Sequence, residues 1–316
     1  MSLKAEKSVD PAHARAEMQL GLLCGLGAYF LWGILPPYLK SVGHVPPIEI
    51  VAHRILWSVP FGAMLIILRR QWPEVRVAFF NRRILAMLAL SAIVISGNWL
   101  IYVWAIGAER VLEASLGYYI NPLMQVAVGV FVLGERLRRA QIAAVGLAAL
   151  GVGVLTVGSG AFPWAGIALA ILFTTYSYVR KTTPVGAMPG LFIETSLLSP
   201  VALAFLFWRA GAGVGSFGTI NFGTDLLLIL AGPVTVTPLV LFALAARRLR
   251  LTTIGFMQYL APTMQFLFGL YYGEPFTLAH AICFGAIWTA LAIFSVDAVR
   301  ANRARRRAAV SQNAGA

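Results

Sequence analysis

Ten long apolar runs, separated by short polar connections, account for most of the chain. They cover about 18–39, 46–68, 83–107, 112–133, 139–158, 163–180, 186–208, 225–246, 251–272 and 277–297. A helix needs roughly 20 apolar residues to cross a bilayer, and these runs have that length. They are too hydrophobic all round for surface helices and too long for barrel strands. The pattern predicts an all-α membrane protein of ten transmembrane helices, with no sizeable soluble domain.

The second half of the chain repeats the first at an offset of about 140 residues. Pro60 recurs as Pro200, and Gly25 and Lys40 recur as Gly166 and Lys181. The run Tyr119, Pro122, Met124, Gln125, Gly129 recurs as Tyr259, Pro262, Met264, Gln265, Gly269. Arg110 recurs as Arg250, and Gly134-Glu135 returns one residue out of step as Gly273-Glu274. Five spans per copy is an odd number, so the second copy must lie inverted in the bilayer. Two inverted copies can exchange shapes and open a molecule first to one side, then to the other. The expected organisation is a tail over 1–17, five-helix repeats over 18–158 and 159–298, and a basic tail over 299–316.

Charge fixes the orientation. With the N-terminus in the cytoplasm, 21 of the 25 Lys and Arg fall on the inner side. The outer connections hold three (Lys40, Arg110 and Arg209), and Arg54 lies inside a span. That is a positive-inside pattern with both termini cytoplasmic, as expected for a bacterial-type inner membrane. The net charge of +13 therefore reads as contact with anionic lipid, not with nucleic acid. Cys24 and Cys283 lie in apolar spans and read as small core residues. The four histidines are scattered. Neither a metal site nor a cofactor is expected. Residues 1–17 lack a cleavable-signal pattern, so the first apolar run is expected to remain as a span.

The breaks and the polar residues within the spans carry the candidate chemistry. Pro60, Pro122, Pro200 and Pro262 recur in symmetric pairs and are expected to kink their helices; Pro36, Pro37, Pro233 and Pro238 also fall inside spans. Small residues crowd the fifth span (Ala144, Ala148, Ala149, Gly153) and permit close approach, within the chain or to a second subunit.

Ionisable groups inside spans are rare and face protein or water. Arg54 and Glu194 are repeat mates, but the inversion places Arg54 nearer the outer face and Glu194 nearer the inner one. The offset is on the order of 10 Å, so a direct ion pair is not expected. Arg54 reads either as a structural cation capped at a proline break or as the counter-charge to an anionic substrate group. Glu194 reads either as a paired structural acid or as a site for an amine or a proton. His53 adjoins Arg54 about 100° around the helix and reads as a packing residue or a titrating one.

Tyr118, Asn121 and Gln125 fall at i, i+3 and i+7 on one helix face, with Gln258, Ala261 and Gln265 as their mates. Beside them stand Tyr119 and Tyr259. Trp32 shares a face with Tyr29 and Pro36, and Asn98 with Tyr102. These residues read as the wall of a central cavity, or as polar glue between helices. Trp72, Trp164 and Trp208 suit the membrane interfaces; Trp32, Trp57, Trp99, Trp104 and Trp288 are expected to lie deeper. An aromatic cavity suits a flat organic molecule better than a bare ion.

The run Glu109-Arg110-Val111-Leu112-Glu113-Ala114-Ser115-Leu116-Gly117-Tyr118-Tyr119-Ile120-Asn121-Pro122-Leu123 resembles the RarD subfamily of drug/metabolite transporters, with its paired EamA repeats. So do Ala52-His53-Arg54-Ile55-Leu56-Trp57, Gly97-Asn98-Trp99 and Gly134-Glu135-Arg136-Leu137. The resemblance spans roughly 18–298. It implies the superfamily fold and a permease for a small organic metabolite or drug; the family is linked by name to chloramphenicol sensitivity. An intramembrane enzyme is the rival class, but Ser58, Ser91, Ser96 and Ser115 have no evident histidine partner in the sequence. A non-transporting sensor would lack a soluble signalling domain.

Overall fold

The computed structural model describes residues 11–133, 139–246, 248–249, 253 and 257–314, with side chains set aside at 11–15, 125–133, 246, 298 and 301–314. Every regular element among them is helical. In chain order these are α1 (Pro11–Gly33), α2 (Leu35–Ser41), α3 (Pro47–Leu68), α4 (Trp72–Phe80), α5 (Arg82–Gly107) and α6 (Val111–Leu133). Then follow α7 (Arg139–Ser159), α8 (Trp164–Thr182), α9 (Ala187–Gly211), α10 (Phe222–Ala246), α11 (Leu260–Tyr271) and α12 (Leu278–Ala314).

Seven segments among the described residues are long and apolar enough to cross a membrane: Ala16–Ser41, Pro47–Leu68, Arg82–Gly107, Arg139–Ser159, Ala187–Gly211, Phe222–Ala245 and Leu278–Asp297. The apolar runs at 112–133, 163–180 and 251–272 carry α6, α8 and α11. Side chains on large parts of the outer surface support a lipid setting. Leu23 on α1 is 68% exposed, Val157 on α7 85% and Phe207 on α9 68%. Apolar surface spread this widely over several helices is a liability in water and normal against acyl chains.

Proline shapes the helices in more than one way. Pro60, Pro122, Pro200, Pro233 and Pro238 are interior to α3, α6, α9 and α10. Pro36 follows the break at Ile34 and stands in the first turn of α2. Pro262, expected as a kink, stands instead in the first turn of α11, after the turn at Gln258–Tyr259. There its missing N–H is one that the helix leaves unpaired anyway. Two elements depart from the sequence expectation. The connection after α3 holds the short helix α4, and α12 continues through most of the expected C-terminal tail.

The strongest helix pairings are α7 with α12, α3 with α9, α1 with α10, α3 with α10, α5 with α8 and α6 with α8, followed by α6 with α11 and α1 with α11. At the α6–α8 crossing, a methyl added at Gly117 would meet the carbonyl of Gly166, and one added at Gly166 would meet the Glu113 carbonyl. Only glycine allows two backbones this close. Just ahead of α11 the repeat mates also meet, but through a side chain: a methyl at Gly25 on α1 would touch the end of Met257. The α7–α12 seam is made of small residues. Gly151 lies against Ala286 and the Cys283 backbone, Gly158 lies against Ala279, and Ala144 is fully buried. The close approach of the fifth span is thus internal at Ala144, Ala148 and Gly151, while Ala149 and Gly153 are exposed on its other side. Cys24 and Cys283 are buried free thiols.

Candidate functional site

α3, α5, α6 and α10 converge on Arg54. Its side chain is 6% exposed. Its Nε donates to Thr235 Oγ1 at 3.1 Å, and its guanidinium carbon sits 4.6 Å from the centre of the Trp99 ring. Tyr38, Tyr102 and Tyr118 are close enough to interact electrostatically with it. The Tyr102 and Tyr118 rings meet edge to face at 5.6 Å, and Tyr118 packs on Phe173 at 6.1 Å. The Tyr38 hydroxyl is spent on the Leu227 carbonyl at 2.8 Å. Within this cage two polar atoms have no hydrogen-bond partner among the described residues, Arg54 Nη1 and the Tyr102 hydroxyl; outside it, His53 Nε2 and Gln265 Oε1 are among the other buried atoms left in the same state. A buried cation with a free donor and no carboxylate partner in this set is costly unless something completes it. The cage offers a positive charge, an unused hydroxyl and aromatic faces in one place.

Glu194 lies elsewhere. It is 1% exposed on α9 and is held by α8 and α5. Arg180 Nε is 3.4 Å from its Oε1, Ser91 donates to the same oxygen, and the Tyr176 hydroxyl approaches Oε2 at 3.5 Å. Arg180 also donates to the Gly186 carbonyl at 3.0 Å. Arg54 and Glu194 thus have separate partners, and Glu194 has the contacts of a paired structural acid. Arg180, counted with the inner connections in the sequence, is a largely buried partner at the end of α8.

The remaining candidates divide between glue and a second cavity. Asn98 donates to the Leu169 carbonyl at 3.1 Å, and Asn121 accepts from Thr174 at 3.0 Å; both tie neighbouring helices to α8. Gln265 donates to the Trp32 carbonyl at 3.1 Å, while the Trp32 ring packs on Tyr29 and Phe242. His53 accepts from Trp57 Nε1 at 3.2 Å and packs on Phe217, as a packing histidine does. Tyr119 bonds Thr263 across α6 and α11 at 2.7 Å, and with Tyr259 it lines a groove of about 710 Å³. Gln258 is bonded to Tyr259. The side chains of Gln125 and Glu135, and residues Gly134 and Arg250, lie outside the described residues.

Sequence reasoning placed Trp99 among the deeper aromatics without tying it to Arg54, missed Tyr38 and Thr235 as cage members, and missed a set of carboxylates that accept from backbone amides at loops and helix ends. Glu49 accepts from the Ser216 amide at 2.7 Å and pairs with Arg209 at 3.0 Å. Glu113 accepts from the Ala165 amide at 2.7 Å and the Gly166 amide at 3.3 Å, at the start of α8. Glu274 accepts from the Val111 amide at 2.6 Å and the Leu112 amide at 2.8 Å, at the start of α6. Helix N-termini present such unpaired amides to anions. Burial raises the Glu274 carboxyl above its ordinary value, and the two amides partly offset that rise. The signal was there in part: each is an acid at the end of an apolar run, and Glu74, which accepts from the Gly186 amide at 2.6 Å ahead of α9, is a fourth of the kind.

Residues 19–157 match the EamA-like transporter family. An uncharacterized transporter of Vibrio cholerae is 46% identical over 289 residues, covering 91% of this chain and 96% of that protein. The protein RarD of Escherichia coli is 44% identical, covering 90% and 96%. A solved crystal structure aligns with a TM-score of 0.57 over 86% of this chain and 96% of its own, at 22% identity, which bears on the fold alone.

Proposed function

Since the chain belongs to the RarD subfamily of EamA-type transporters and is a multi-pass membrane protein, we propose that it exports a small organic molecule bearing an anionic group across the bacterial inner membrane. The observation that carries this reading is the free Nη1 of Arg54 inside an aromatic cage. A carboxylate or similar anion would complete the guanidinium and accept from the Tyr102 hydroxyl. Trp99, Tyr118 and Phe173 would pack against a flat body.

Alternating access would work between two inverted five-helix repeats, in ten spans with both termini inside. The helix pairings favour that scheme. Exchanging the repeats turns α1–α10 into α8–α5, and α6–α8 into α11–α1. It leaves α3–α9, α6–α11 and α7–α12 in place. A pseudo-two-fold relation of this kind is what two such copies require. The carboxylate contacts of Glu49, Glu113 and Glu274 would then close the outer side. The closed cage, with Arg54 only 6% exposed, would correspond to a state between openings.

The serines weighed for an intramembrane nucleophile favour transport over catalysis. Ser58, Ser96 and Ser115 donate to carbonyls one turn back, and Ser91 to Glu194 and Leu88. Nothing among these contacts activates a hydroxyl with histidine.

The test is flux from proteoliposomes against a panel of amino acids, aromatic acids and amphenicol-type drugs. An anionic aromatic compound should be carried. Arg54→Gln should reduce its flux at least about tenfold, the loss expected from one charge-assisted hydrogen bond. Equal flux of the compound and its uncharged amide, or an unaffected Arg54→Gln variant, would remove the cage from recognition.

A further inference from the structure

α6, α11 and α12 enclose the groove of about 710 Å³ on the side of α6 away from the Arg54 cage: Tyr118 faces the cage and its neighbour Tyr119 the groove. Trp288 and Leu291 on α12 line it, with Thr263 and Tyr259 opposite. Its polar walls are already satisfied. Tyr119 and Thr263 bond each other, and Tyr259 is bonded to Gln258 and Ser295. What is left for an occupant is apolar surface, with Trp288 44% exposed at one end. At the other end stands Arg300, the charged residue of the lining among the described residues. The apolar segment of α12 ends at Asp297, so Arg300 lies just past the hydrocarbon edge. From Trp288 to Arg300 the helix rises about 18 Å.

An apolar slot of that length, open at the side and ending in a cation at the headgroup level, matches one kind of molecule. We propose that this groove binds an anionic phospholipid of the cytoplasmic leaflet, its phosphate on Arg300 and one acyl chain along α12 against Trp288. The charge complements the headgroup, and the satisfied hydroxyls ask for no polar partner deeper in. A water-soluble metabolite would find almost no hydrogen bonds there. The lipid would brace the α6–α11–α12 contact, which carries Tyr119 and its bond to Thr263. This inference stands apart from the proposed substrate site and does not depend on it.

The test uses the full chain in nanodiscs doped with brominated lipid, which quenches tryptophan on contact. Subtracting the signal of a Trp288→Phe variant isolates Trp288. Brominated phosphatidylglycerol should quench Trp288 at about fivefold lower mole fraction than brominated phosphatidylcholine, the factor that one basic contact near an anionic headgroup supplies. Arg300→Gln should abolish that preference, while flux through the Arg54 site is read separately. Equal quenching by both lipids would mean a bulk lipid annulus and overturn the proposal. So would a preference that survives Arg300→Gln, or an absence of Trp288 quenching by either lipid.

Discussion

Arg180 and Glu194 form a buried ion pair between α8 and α9, Nε to Oε1 at 3.4 Å, and Ser91 donates to the same carboxylate oxygen. Their side chains are 12% and 1% exposed. Arg54, the repeat mate of Glu194, is turned instead to Thr235 and Trp99. The two buried charges therefore have different surroundings. One is neutralised by protein; the other keeps a free donor.

Removing one member of a buried pair strands the other, at about 3–5 kcal/mol. Glu194→Ala should accordingly lower the thermal midpoint of the detergent-solubilised protein, measured by fluorescence-detected size exclusion. Arg180→Leu combined with Glu194→Leu should recover much of the loss. Arg54→Ala combined with Glu194→Ala should not. Recovery in the Arg54 double variant and none in the Arg180 one would mean that the pairing is wrong.

The helices were legible because a bilayer demands long apolar runs, and each run carries a helix. The repeat is legible in the sequence itself, where prolines recur at an offset of 140 and glycines at 139 to 141. The cage was legible only at Arg54, Tyr102 and Tyr118. Its other members, Trp99 on α5 and Thr235 on α10, lie 45 and 181 positions from Arg54, and no local period announces such contacts. Arg180 misled for a physical reason: an arginine at a span end looks like an interfacial charge even when its guanidinium bends back into the protein. Trp104 misled in the opposite sense. It was expected deep, yet it packs on Trp164 at 4.9 Å with Arg110 5.5 Å from its ring, at the end of α5. The polar stripe on α6 is divided in the fold, with Tyr118 facing the cage and Asn121 facing Thr174.

The α6–α8 crossing depends on glycine, and its repeat counterpart does not to the same degree. At Gly166 an added side chain meets backbone on α6, which cannot yield without moving the helix. At Gly25 it meets the flexible end of Met257. Overpacking costs typically about 1–3 kcal/mol, at the upper end where backbone must shift. Gly166→Val should therefore depress expression and thermal stability well below Gly25→Val. Equal loss from the two would show that the α1–α11 contact is as rigid as the α6–α8 one.

Glu274 anchors the start of α6 through the Val111 and Leu112 amides. Glu274→Ala leaves both amides without an acceptor, at about 1–3 kcal/mol. Glu274→Gln keeps an acceptor oxygen and should cost less. The raised carboxyl pKa sets a pH sign as well. The folded protein holds this proton more tightly than the unfolded chain. The stabilisation is complete below the ordinary carboxylate value of about 4.3 and is lost as pH rises through the raised one. Thermal midpoints of wild type and Glu274→Gln, taken from pH 4 to 8, should differ by an amount that changes across that window. Parallel curves would mean that Glu274 does not titrate there.

The orientation carries the whole alternating-access scheme, and four fusion sites test it. The inner side would hold 21 Lys and Arg and the outer side three. Of the carboxylates that accept from backbone amides, Glu113 and Glu274 at helix starts and Glu49 at the Ser216 loop would face the outer side, while Glu74, bonded to the Gly186 amide ahead of α9, would face the inner one. Reporter fusions after Gly43, in the turn following α2, and after Ala212, at the end of α9, should read periplasmic. Fusions after Val75, on α4, and after Arg300, on α12, should read cytoplasmic. The pairs are matched: 43 and 75 flank α3, while 212 and 300 lie in the second copy. If both copies had the same orientation, the outer reading at 43 would be accompanied by a cytoplasmic reading at 212. A cytoplasmic signal at either 43 or 212 would thus remove the inverted relation, and with it the argument that exchanging the two repeats opens the Arg54 cage to alternate sides.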